Sequence, residues 1–291
     1  MTAVRTVAAL YDIHGNLPAL DAVLAELRRE PPDAVIVGGD VAAGPMPLKV
    51  LARLRELPWP VHWLRGNADR AVVMGFDGTI PPELREHPLF QGDAWAATFL
   101  SRAQRDFLDR LPPLLALDVE GLGEVLFCHG TARSDEERVT TATPPERLAR
   151  VLAEARASVV VGGHTHRQFD RRAGGRRMIN AGSVGRPYEH RPGAYWLRLG
   201  PGVALRRTPY DTAAADAAFR ALGYPAAELM FAAVDPDEVA ERYEAASGQP
   251  PAEAALIAPN DNPLRAARRP RGAAHPISDD LRRTAPREDR P

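Results

Sequence analysis

The amino-acid sequence predicts an α/β fold that contains two β-sheets. Short apolar runs alternate with amphipathic segments in the first part of the chain, which is typical of a parallel sheet covered by helices. Further along, short strands separated by Gly and Pro turns indicate a second, more antiparallel sheet. The chain has 291 residues, 45% of them hydrophobic, and can therefore bury a sizeable core.

The first part of the chain is predicted to form a βαβαβ unit. In its first helix the apolar side chains recur every three or four positions, and Asn16 and Pro18 suit the start of that helix. The unit comprises strands at 6–10, 34–37 and 61–64 and helices at 16–29 and 47–57. This order predicts that the three strands run parallel in one sheet.

Residues 70–113 have a less regular pattern and are predicted to be a helical insertion beside the functional site. Asp93 is expected to cap a helix in this insertion that carries Trp95, Phe99 and Phe107. The remaining elements are a hairpin at 114–119 and 124–127, a helix at 144–156, strands at 158–161, 167–171, 176–180, 194–199 and 203–208, and helices at 211–222 and 236–246.

The composition changes after residue 247. Residues 1–247 form the predicted folded domain, whereas 248–291 are rich in proline and arginine and have almost no aliphatic pattern. Such a segment buries too little apolar area to offset the entropy lost on ordering, so we expect it to be a disordered tail.

Composition also argues against several classes of function. A formal net charge of −1 gives no overall attraction to nucleic acid or to an anionic membrane. Cys128 is the single cysteine, so no intrachain disulfide forms, and this fits a reducing compartment. We find neither a signal-like apolar segment at the start nor a run of about 20 apolar residues, and we therefore expect a cytoplasmic protein.

Five apolar runs each end in a polar motif. In α/β sheets ligands bind outside the carboxyl ends of the strands, so these motifs are expected to meet in space. Glycine adjoins most of the polar residues and would allow backbone and substrate to approach closely. The motifs are Asp-x-His-Gly-Asn at 12–16, Gly-Gly-Asp at 38–40, Gly-Asn-x-Asp at 66–69, His-Gly at 129–130 and Gly-His-Thr-His at 163–166.

The residue types in these motifs point to metal chemistry. Imidazole nitrogen, carboxylate oxygen and amide oxygen suit borderline divalent metals such as Mn, Fe, Co, Ni or Zn. Seven such groups exceed the needs of one tetrahedral ion and are enough for two ions with open positions. The candidate ligands are Asp12, His14, Asp40, Asn67, His129, His164 and His166.

The series of motifs resembles the calcineurin-like metallophosphoesterase superfamily. The Asn-Ala-Gly-Ser-Val-Gly-Arg-Pro segment at 180–187 further resembles its small prokaryotic phosphodiesterase and phosphatase branch. The resemblance covers about residues 4–210, with all five motifs in order. It implies a four-layer sandwich, in which two packed mixed β-sheets are flanked by helices and the metals lie at one edge.

The resemblance also implies how the ligands are divided between two metal ions. Mn²⁺ is the expected metal, with Fe, Ni, Co or Zn as alternatives. A hydroxide shared by the ions would attack phosphorus in line with the leaving oxygen. Asp12, His14 and His166 would hold the first ion, Asn67, His129 and His164 would hold the second, and Asp40 would bridge them. Asp40, Asn67 and His129 would thus act directly in catalysis.

Two neighbouring residues are candidates for contact with the substrate phosphate. Asn16 and Arg65 lie beside ligand positions, and arginine matches phosphate oxygens bidentately. The alternative for Arg65 is a surface ion pair. Many members of the family carry a histidine where this chain has Ala68, so proton donation to the leaving group must come from another source. Ser183 and Arg186 are expected to shape the sheet edge rather than to perform chemistry.

The expected activity is hydrolysis of phosphate esters, in the phosphoric ester hydrolase class EC 3.1, on a small phosphorylated substrate of which a nucleotide is one candidate. Alternatives that use the same site are a nucleotide pyrophosphohydrolase and a protein phosphatase. A non-catalytic binding scaffold is a further alternative, but it is disfavoured because all seven ligand positions are filled. Specific nucleic-acid binding is not expected.

Overall fold

A computed structural model describes residues 3–247. The predicted tail, 248–291, lies outside the described residues. Two five-stranded sheets form the centre of the fold, with strand orders β10-β9-β1-β2-β3 and β4-β5-β6-β8-β7. The strands are β1 (Val7–Leu10), β2 (Ala34–Val37), β3 (Val61–Trp63), β4 (Leu114–Val119), β5 (Gly123–Cys128), β6 (Val159–Gly162), β7 (Phe169–Ala173), β8 (Arg176–Asn180), β9 (Ala194–Leu199) and β10 (Val203–Thr208).

The first sheet contains the predicted parallel unit. β1 pairs with β2 and β2 with β3 in parallel. On the other side of β1, β9 and β10 add as antiparallel strands. The expectation that these two strands belong to the second sheet was wrong. Their pairing depends on the open edge of β1, which is contributed by residues almost two hundred positions earlier and leaves no local sign in the sequence.

The second sheet is also mixed. β5, β6 and β8 are parallel, while β4 and β7 are antiparallel strands at the two edges. The predicted hairpin forms here through the pairing of β4 with β5. With helices on the outer faces, the architecture is the predicted sandwich of two mixed sheets.

The core has separate layers because strand residues alternate between faces. Val7 and Ala9 of β1 pack toward the second sheet with Phe127 and Val161. The intervening β1 residues pack beneath the helices α1 (Leu17–Arg29) and α2 (Pro47–Arg55). Helix α6 (Pro145–Ala153) covers the outer face of the second sheet. Because the strands are packed on both faces, they and the loops that follow them are held in fixed positions.

Further helices lie in the predicted insertion and near the end of the described chain. The insertion holds most of α3 (Asn67–Asp77), a 3₁₀ turn (Pro82–Leu84), α4 (Pro88–Ala97) and α5 (Arg102–Asp109). The last helices are α7 (Thr212–Ala221), α8 (Ala227–Met230) and α9 (Pro236–Ala245). Within residues 3–247, no helix combines the length and apolar character that a membrane span requires.

Asp93 does not cap a helix, contrary to the expectation from the sequence. It lies within α4 and is 7% exposed. The cap of α4 is His87, whose Nδ1 accepts a hydrogen bond from the Leu89 amide at 3.3 Å, and α5 is capped by Ser101. The sequence pattern misled because Pro88 allows the helix to begin one turn earlier than Asp93.

Candidate metal centre

The loops that follow five strands converge at one edge of the two sheets. Asp12 and His14 follow β1, Asp40 follows β2, and Asn67 follows β3. From the second sheet, the loop after β5 contributes His129 and the loop after β6 contributes His164 and His166. Parallel strands have their carboxyl ends at a common edge, which is why residues so distant in sequence meet here.

Four of these residues form a compact cluster. One ligand atom from each of Asp12, His14, Asp40 and His166 lies within 4.8 Å of the others. All four residues are buried. Asp12 Oδ1 is fully buried and has no hydrogen-bond partner among residues 3–247. A buried carboxylate oxygen without a partner is costly unless a cation approaches it, so the atom is suited to a metal.

Backbone carbonyls orient three of the histidine rings. Nδ1 of His14 lies 3.1 Å from the Ala43 carbonyl, and Nδ1 of His166 lies 2.7 Å from the Arg186 carbonyl. Nδ1 of His129 lies 2.9 Å from the Gly38 carbonyl. A carbonyl only accepts, so each Nδ1 carries the proton. In a neutral ring Nε2 then presents its lone pair, which is the arrangement of metal-binding histidines.

The Nε2 atoms point at one another and at the carboxylates. Nε2 of His14 and Nε2 of His166 are 3.1 Å apart. Asp12 Oδ1 lies 3.3 Å from the same His166 nitrogen, and Asp40 Oδ2 lies 3.6 Å from that of His14. Two lone pairs and two carboxylates facing each other repel unless a cation or proton sits between them. The donor set therefore fits a divalent ion.

The remaining predicted ligands lie beside this cluster. His129 Nε2 is 3.1 Å from Asn67 Oδ1 and 3.4 Å from Asp40 Oδ2. The rings of His129 and His164 have centroids 5.2 Å apart. His164 Nε2 donates to the Glu136 carbonyl at 3.1 Å, which leaves its Nδ1 as the nitrogen available for a metal. Asp40 thus lies between the histidines of the two predicted metal positions.

Burial and mutual charge set the protonation of these groups. Burial lowers the pKa of His14 to about 4 and that of His164 to about 3, so both rings are neutral near pH 7. Burial also opposes a charged His129, but the carboxylates of Asp40 and Asp12 raise its pKa to about 10. Against the effect of burial, His129 and His14 hold the pKa of Asp40 below its usual value. Asp40 is therefore ionised and able to bind a cation.

The backbone at the site is held in an uncommon conformation. A positive φ occurs at five non-glycine residues within 3–247, and all five are predicted ligands: Asp12 (52°), His14 (46°), Asp40 (53°), His164 (65°) and His166 (58°). Non-glycine residues adopt this left-handed region at a cost, and such strain concentrates at functional sites. Here it turns the side chains out of the strand direction and into the cluster.

Glycine is required beside two of the ligands. A Cβ on Gly66 would lie 2.1 Å from Asp40 Oδ1, and one on Gly39 would lie 2.7 Å from His129 Nδ1. Both contacts are shorter than a side chain tolerates, and Gly39 also has a φ of +95°. The glycines in these motifs therefore leave the space that the carboxylate and imidazole occupy.

Asp69 supports the site although the ligand set from the sequence did not include it. It is fully buried, and its carboxylate accepts hydrogen bonds from the amides of Asp40 (2.8 Å), Val41 (2.9 Å) and Gly66 (3.1 Å). It therefore ties the loop that carries Asp40 to the loop that carries Asn67. The Gly-Asn-x-Asp motif contained this residue, but its contacts with Asp40 and Val41 are made with a different loop.

Asn16 is not placed for contact with a substrate phosphate. It is fully buried, its Oδ1 accepts from the Ala19 amide at 3.0 Å, and it thereby caps α1. Its Nδ2 donates to the Gly185 carbonyl at 2.8 Å and to Tyr210 Oη at 3.1 Å. Both ends of the Asn16 side-chain amide already hydrogen-bond within the protein, so the structure gives Asn16 a role in stability.

This role predicts the effect of Asn16→Ala. We expect the free energy of unfolding to fall by about 1–3 kcal/mol, because the cap is lost and a buried carbonyl loses its donor. The inhibition constant for inorganic phosphate should stay within twofold. Urea unfolding measures the first quantity and inhibition kinetics the second. A variant that is fully stable but binds phosphate poorly would restore Asn16 as a substrate contact.

Arg65 also lies away from the position expected for a phosphate contact. Its Nε is 3.9 Å from Asp135 Oδ2, in agreement with the ion-pair alternative, and Arg65 does not line the cavity beside the metal cluster. Arginines from other segments do line it. They are Arg70, Arg133, Arg138, Arg147 and Arg186.

A cavity of about 690 Å³ opens beside the cluster. His14, Asp40, Asn67, His164 and His166 line its metal-facing end. Another part of the lining is apolar and comes from the insertion and from α8. Its residues are Met74, Leu84, Leu89, Phe90, Leu229 and Met230. This volume is in the range of small-molecule sites, so the cavity suits a ligand with a polar and an apolar part.

The fold and the cluster together define a two-sheet α/β sandwich with a buried site suited to divalent metal. Residues 6–198 match the family model of the calcineurin-like phosphoesterase superfamily domain. This match spans well over half of the chain, and the protein therefore belongs to that superfamily.

Solved structures support the same fold. The chain is similar to a hypothetical protein from Pyrococcus horikoshii OT3, with 20% sequence identity and a TM-score of 0.65 over 76% of this chain and 94% of that one. It is also similar to a metallophosphoesterase from Sphaerobacter thermophilus, with 23% identity and a TM-score of 0.60 over 78% of this chain and 99% of that one. No curated protein matches the sequence.

Proposed function

We propose that this protein is a phosphoesterase that hydrolyses small phosphate esters with two divalent metal ions, Mn²⁺ being the expected metal. The observation that carries the proposal is the convergence of the His14 and His166 Nε2 atoms with the Asp12 and Asp40 carboxylates within 4.8 Å. Family membership supports a hydrolase acting on phosphate esters. The single cysteine is a buried free thiol, which supports the cytoplasm as its compartment.

The proposed ligands divide into two sets that share Asp40. Asp12, His14 and His166 would hold one ion, and Asn67, His129 and His164 would hold the other. When bound, the ions supply Lewis acidity that polarises a phosphoryl oxygen and makes hydroxide available from water near neutral pH. The carbonyls of Ala43, Gly38 and Arg186 fix the rings of His14, His129 and His166 so that their Nε2 atoms are available to the ions. Asn67 and His129 would hold the second ion beside Asp40.

The cavity supports a small substrate with an apolar or aromatic alcohol group. Phosphate would lie at the metal-facing end, and the alcohol would pack on the wall that contains Met74, Phe90 and Leu229. Ala68 also lines this cavity where many relatives carry a histidine. A good leaving group such as a phenol needs little proton donation, so aryl esters should be turned over more readily than alkyl esters.

A metal-restoration assay tests this proposal. The protein is stripped with chelator, Mn²⁺ is restored, and hydrolysis of bis(p-nitrophenyl) phosphate is measured beside the monoester. Metal ions contribute several kcal/mol to the transition state, so we expect at least about a 100-fold increase with Mn²⁺. The better ester identifies the preferred substrate class.

Two histidine variants provide the matched comparison. His129→Ala should abolish the Mn²⁺-dependent rate, whereas His62→Ala on β3, outside the cluster, should retain it. Absence of turnover with any divalent metal, in a folded protein that retains bound metal, would contradict the proposed hydrolysis of these esters. A protein that binds no divalent metal would contradict the proposed site.

A nucleotide substrate is the second candidate that the cavity favours. An apolar wall opposite the phosphate end could pack against a base, as in hydrolysis of a dinucleoside polyphosphate. The same Mn²⁺-loaded protein would be assayed with dinucleoside polyphosphates and with a phosphopeptide. Turnover of dinucleoside polyphosphates at a higher kcat/KM than bis(p-nitrophenyl) phosphate would favour the pyrophosphohydrolase alternative. Turnover of the phosphopeptide would favour a protein phosphatase.

A further inference from the structure

Arg186 is a buried cation at the site. The residue is only 6% exposed, and its Nε is buried without a hydrogen-bond partner among residues 3–247. Within the same part of the chain, no carboxylate oxygen lies within 4.0 Å of its guanidinium nitrogens. Arginine remains charged in proteins, and burying an unpaired charge is unfavourable. The position of Arg186 therefore needs an explanation other than packing.

The loop that carries Arg186 is anchored against the metal cluster. Ser183 Oγ donates to the Asp12 carbonyl at 2.7 Å and accepts from the Arg186 amide at 2.8 Å. The Arg186 carbonyl accepts from His166 Nδ1 at 2.7 Å. The loop thus has the structural role expected for Ser183, and it also places the Arg186 side chain next to a predicted ligand.

The guanidinium group of Arg186 lies over an aromatic ring that also lines the cavity. Its central carbon lies 5.6 Å from the centre of the Tyr188 ring, and that ring stacks on His166 at 4.9 Å. Arg186, Tyr188, His14 and His166 all line the same cavity. The Arg186 charge is therefore separated from the His166 ring by one aromatic ring, in the same cavity as the proposed metal ligands.

Three other arginines that line the cavity already have acidic partners. Arg70 bonds to Asp135 at 2.8 Å, Arg133 pairs with Glu137, and Arg147 bonds to Glu244 at 2.7 Å. Within each pair the positive and negative charges neutralise each other, so these arginines offer little net charge to a ligand. Arg186 differs from them in that its positive charge is not matched by a nearby carboxylate within residues 3–247.

Asp93 is the nearest candidate for a carboxylate partner of Arg186, but the two side chains form no ion pair within residues 3–247. It lines the same cavity, but burial and the charge of Asp40 raise its pKa well above the usual value. Arg186 acts against this rise, but no Asp93 oxygen lies within ion-pair distance of the guanidinium among residues 3–247. The charged carboxylates of the cluster are in turn the proposed partners of the metal ions.

We propose that Arg186 binds the substrate phosphate by directing its guanidinium at the non-bridging phosphate oxygens beside the metal cluster. The proposal rests on the proposed function of this site as a phosphate-ester site. Guanidinium matches phosphate bidentately, and a desolvated charge-assisted pair of this kind is strong. The substrate phosphate would thus give the Arg186 guanidinium an anionic hydrogen-bond partner, which its Nε does not have among residues 3–247.

Arg186→Met tests this role because methionine keeps an unbranched side chain without the charge. Binding of inorganic phosphate to Mn²⁺-loaded protein is measured by calorimetry, with bound Mn²⁺ counted separately. We expect phosphate to bind about 10- to 100-fold more weakly in the variant, as for loss of one partner of a desolvated charge pair. The Mn²⁺ content should be unchanged.

Thermal unfolding without phosphate separates binding from structure. Removal of an unpaired buried charge is expected to leave the unfolding temperature unchanged or to raise it. An arginine that only stabilises the loop would give the opposite pattern: a lower unfolding temperature and phosphate affinity within twofold of wild type. That pattern would overturn the proposal.

Arg133→Met is the matched control, since Arg133 lines the same cavity but is paired with Glu137. Its phosphate affinity should stay within twofold, and an equal loss in both variants would overturn the specific role of Arg186. Should Arg186→Met not fold, Arg186→Lys replaces it as the test variant. Weaker phosphate binding by Arg186→Lys would support bidentate binding by the guanidinium group, and wild-type affinity would overturn the proposal.

The calorimetric readout keeps this inference separate from the proposed activity. Phosphate binding that depends on Arg186 would support the inference even if none of the tested esters were hydrolysed. Metal-dependent ester hydrolysis with unchanged phosphate affinity in Arg186→Met would support the activity and overturn the inference. Absence of phosphate binding to the wild type at millimolar concentration would also overturn it.

Discussion

Replacing Asp40 with asparagine is expected to lower kcat/KM for the preferred phosphate ester by about 1,000-fold or more, equivalent to about 4 kcal/mol. Asp40 Oδ2 lies 3.6 Å from His14 Nε2 and 3.4 Å from His129 Nε2, so this oxygen faces both proposed metal positions. Asp40 Oδ1 accepts from the Ala68 amide at 2.8 Å. In asparagine the oxygen would keep that bond, and the NH₂ group would face the cations.

The decrease in kcat/KM of Asp40→Asn should therefore be larger than the removal of one negative charge alone would cause. An amide nitrogen cannot bind a metal in this geometry, and its hydrogens are repelled by a cation. We expect Asp40→Asn to lose at least one of two bound metal ions, measured by elemental analysis after dialysis. Asp118→Asn on the exposed side of β4 is the control and should behave as wild type. An Asp40→Asn variant with both ions and activity within tenfold would contradict the bridging role.

The second large effect is expected for Asp69→Ala, which should lower both stability and activity. The substitution leaves the amides of Asp40, Val41 and Gly66 without their acceptor in a buried environment. Each unsatisfied buried donor costs about 1–3 kcal/mol, so we expect a loss of roughly 3 kcal/mol or more in the free energy of unfolding. Urea unfolding with matched metal content measures this loss.

Activity should fall because the two loops that Asp69 ties together carry Asp40 and Asn67. A displacement of about 1 Å in a catalytic group lowers rates by about 100-fold, and we expect a loss of that order at saturating Mn²⁺. Asp109→Ala at the exposed end of α5 removes a carboxylate without these bonds and serves as the control. Asp69→Ala with wild-type stability and kcat would show that the loops are held by other contacts.

Much of the site could be predicted because its signals are local. Each proposed ligand lies within a few residues of the end of a short apolar run, and the positive φ at His14 and Asp40 is accompanied by an adjacent glycine that the sequence displays. A strand followed by such a turn has a recognisable pattern over about eight residues. The structure brings all seven predicted ligands to one sheet edge, and their binding of two metal ions remains a prediction.

Side-chain direction could not be predicted in the same way. Asn16 and Arg65 lie next to ligand positions in sequence, yet Asn16 is used by the cap of α1 and Arg65 lies near Asp135. Arg186 was expected only to shape a loop, and the structure places its charge in the cavity. Whether a neighbouring residue points into or away from a site depends on contacts with segments that are distant in the chain.

The far wall of the cavity was also decided by tertiary structure. Tyr224, Leu229 and Tyr243 line the cavity although they lie beyond the family match, which ends at residue 198. Leu229 and Tyr243 lie in helices and Tyr224 in the connection between α7 and α8, and local sequence patterns there do not indicate the partner against which each residue packs.

The sequence by itself determined the class of fold, the strands of the parallel unit and the identity of the candidate ligands, because these depend on local periodicity and on motifs at strand ends. Only the tertiary structure decided the pairing of β9 with β1, the burial of Asp93, the unpaired charge of Arg186 and the shape of the cavity. These features arise from contacts between residues tens to hundreds of positions apart, and local sequence patterns do not encode such contacts.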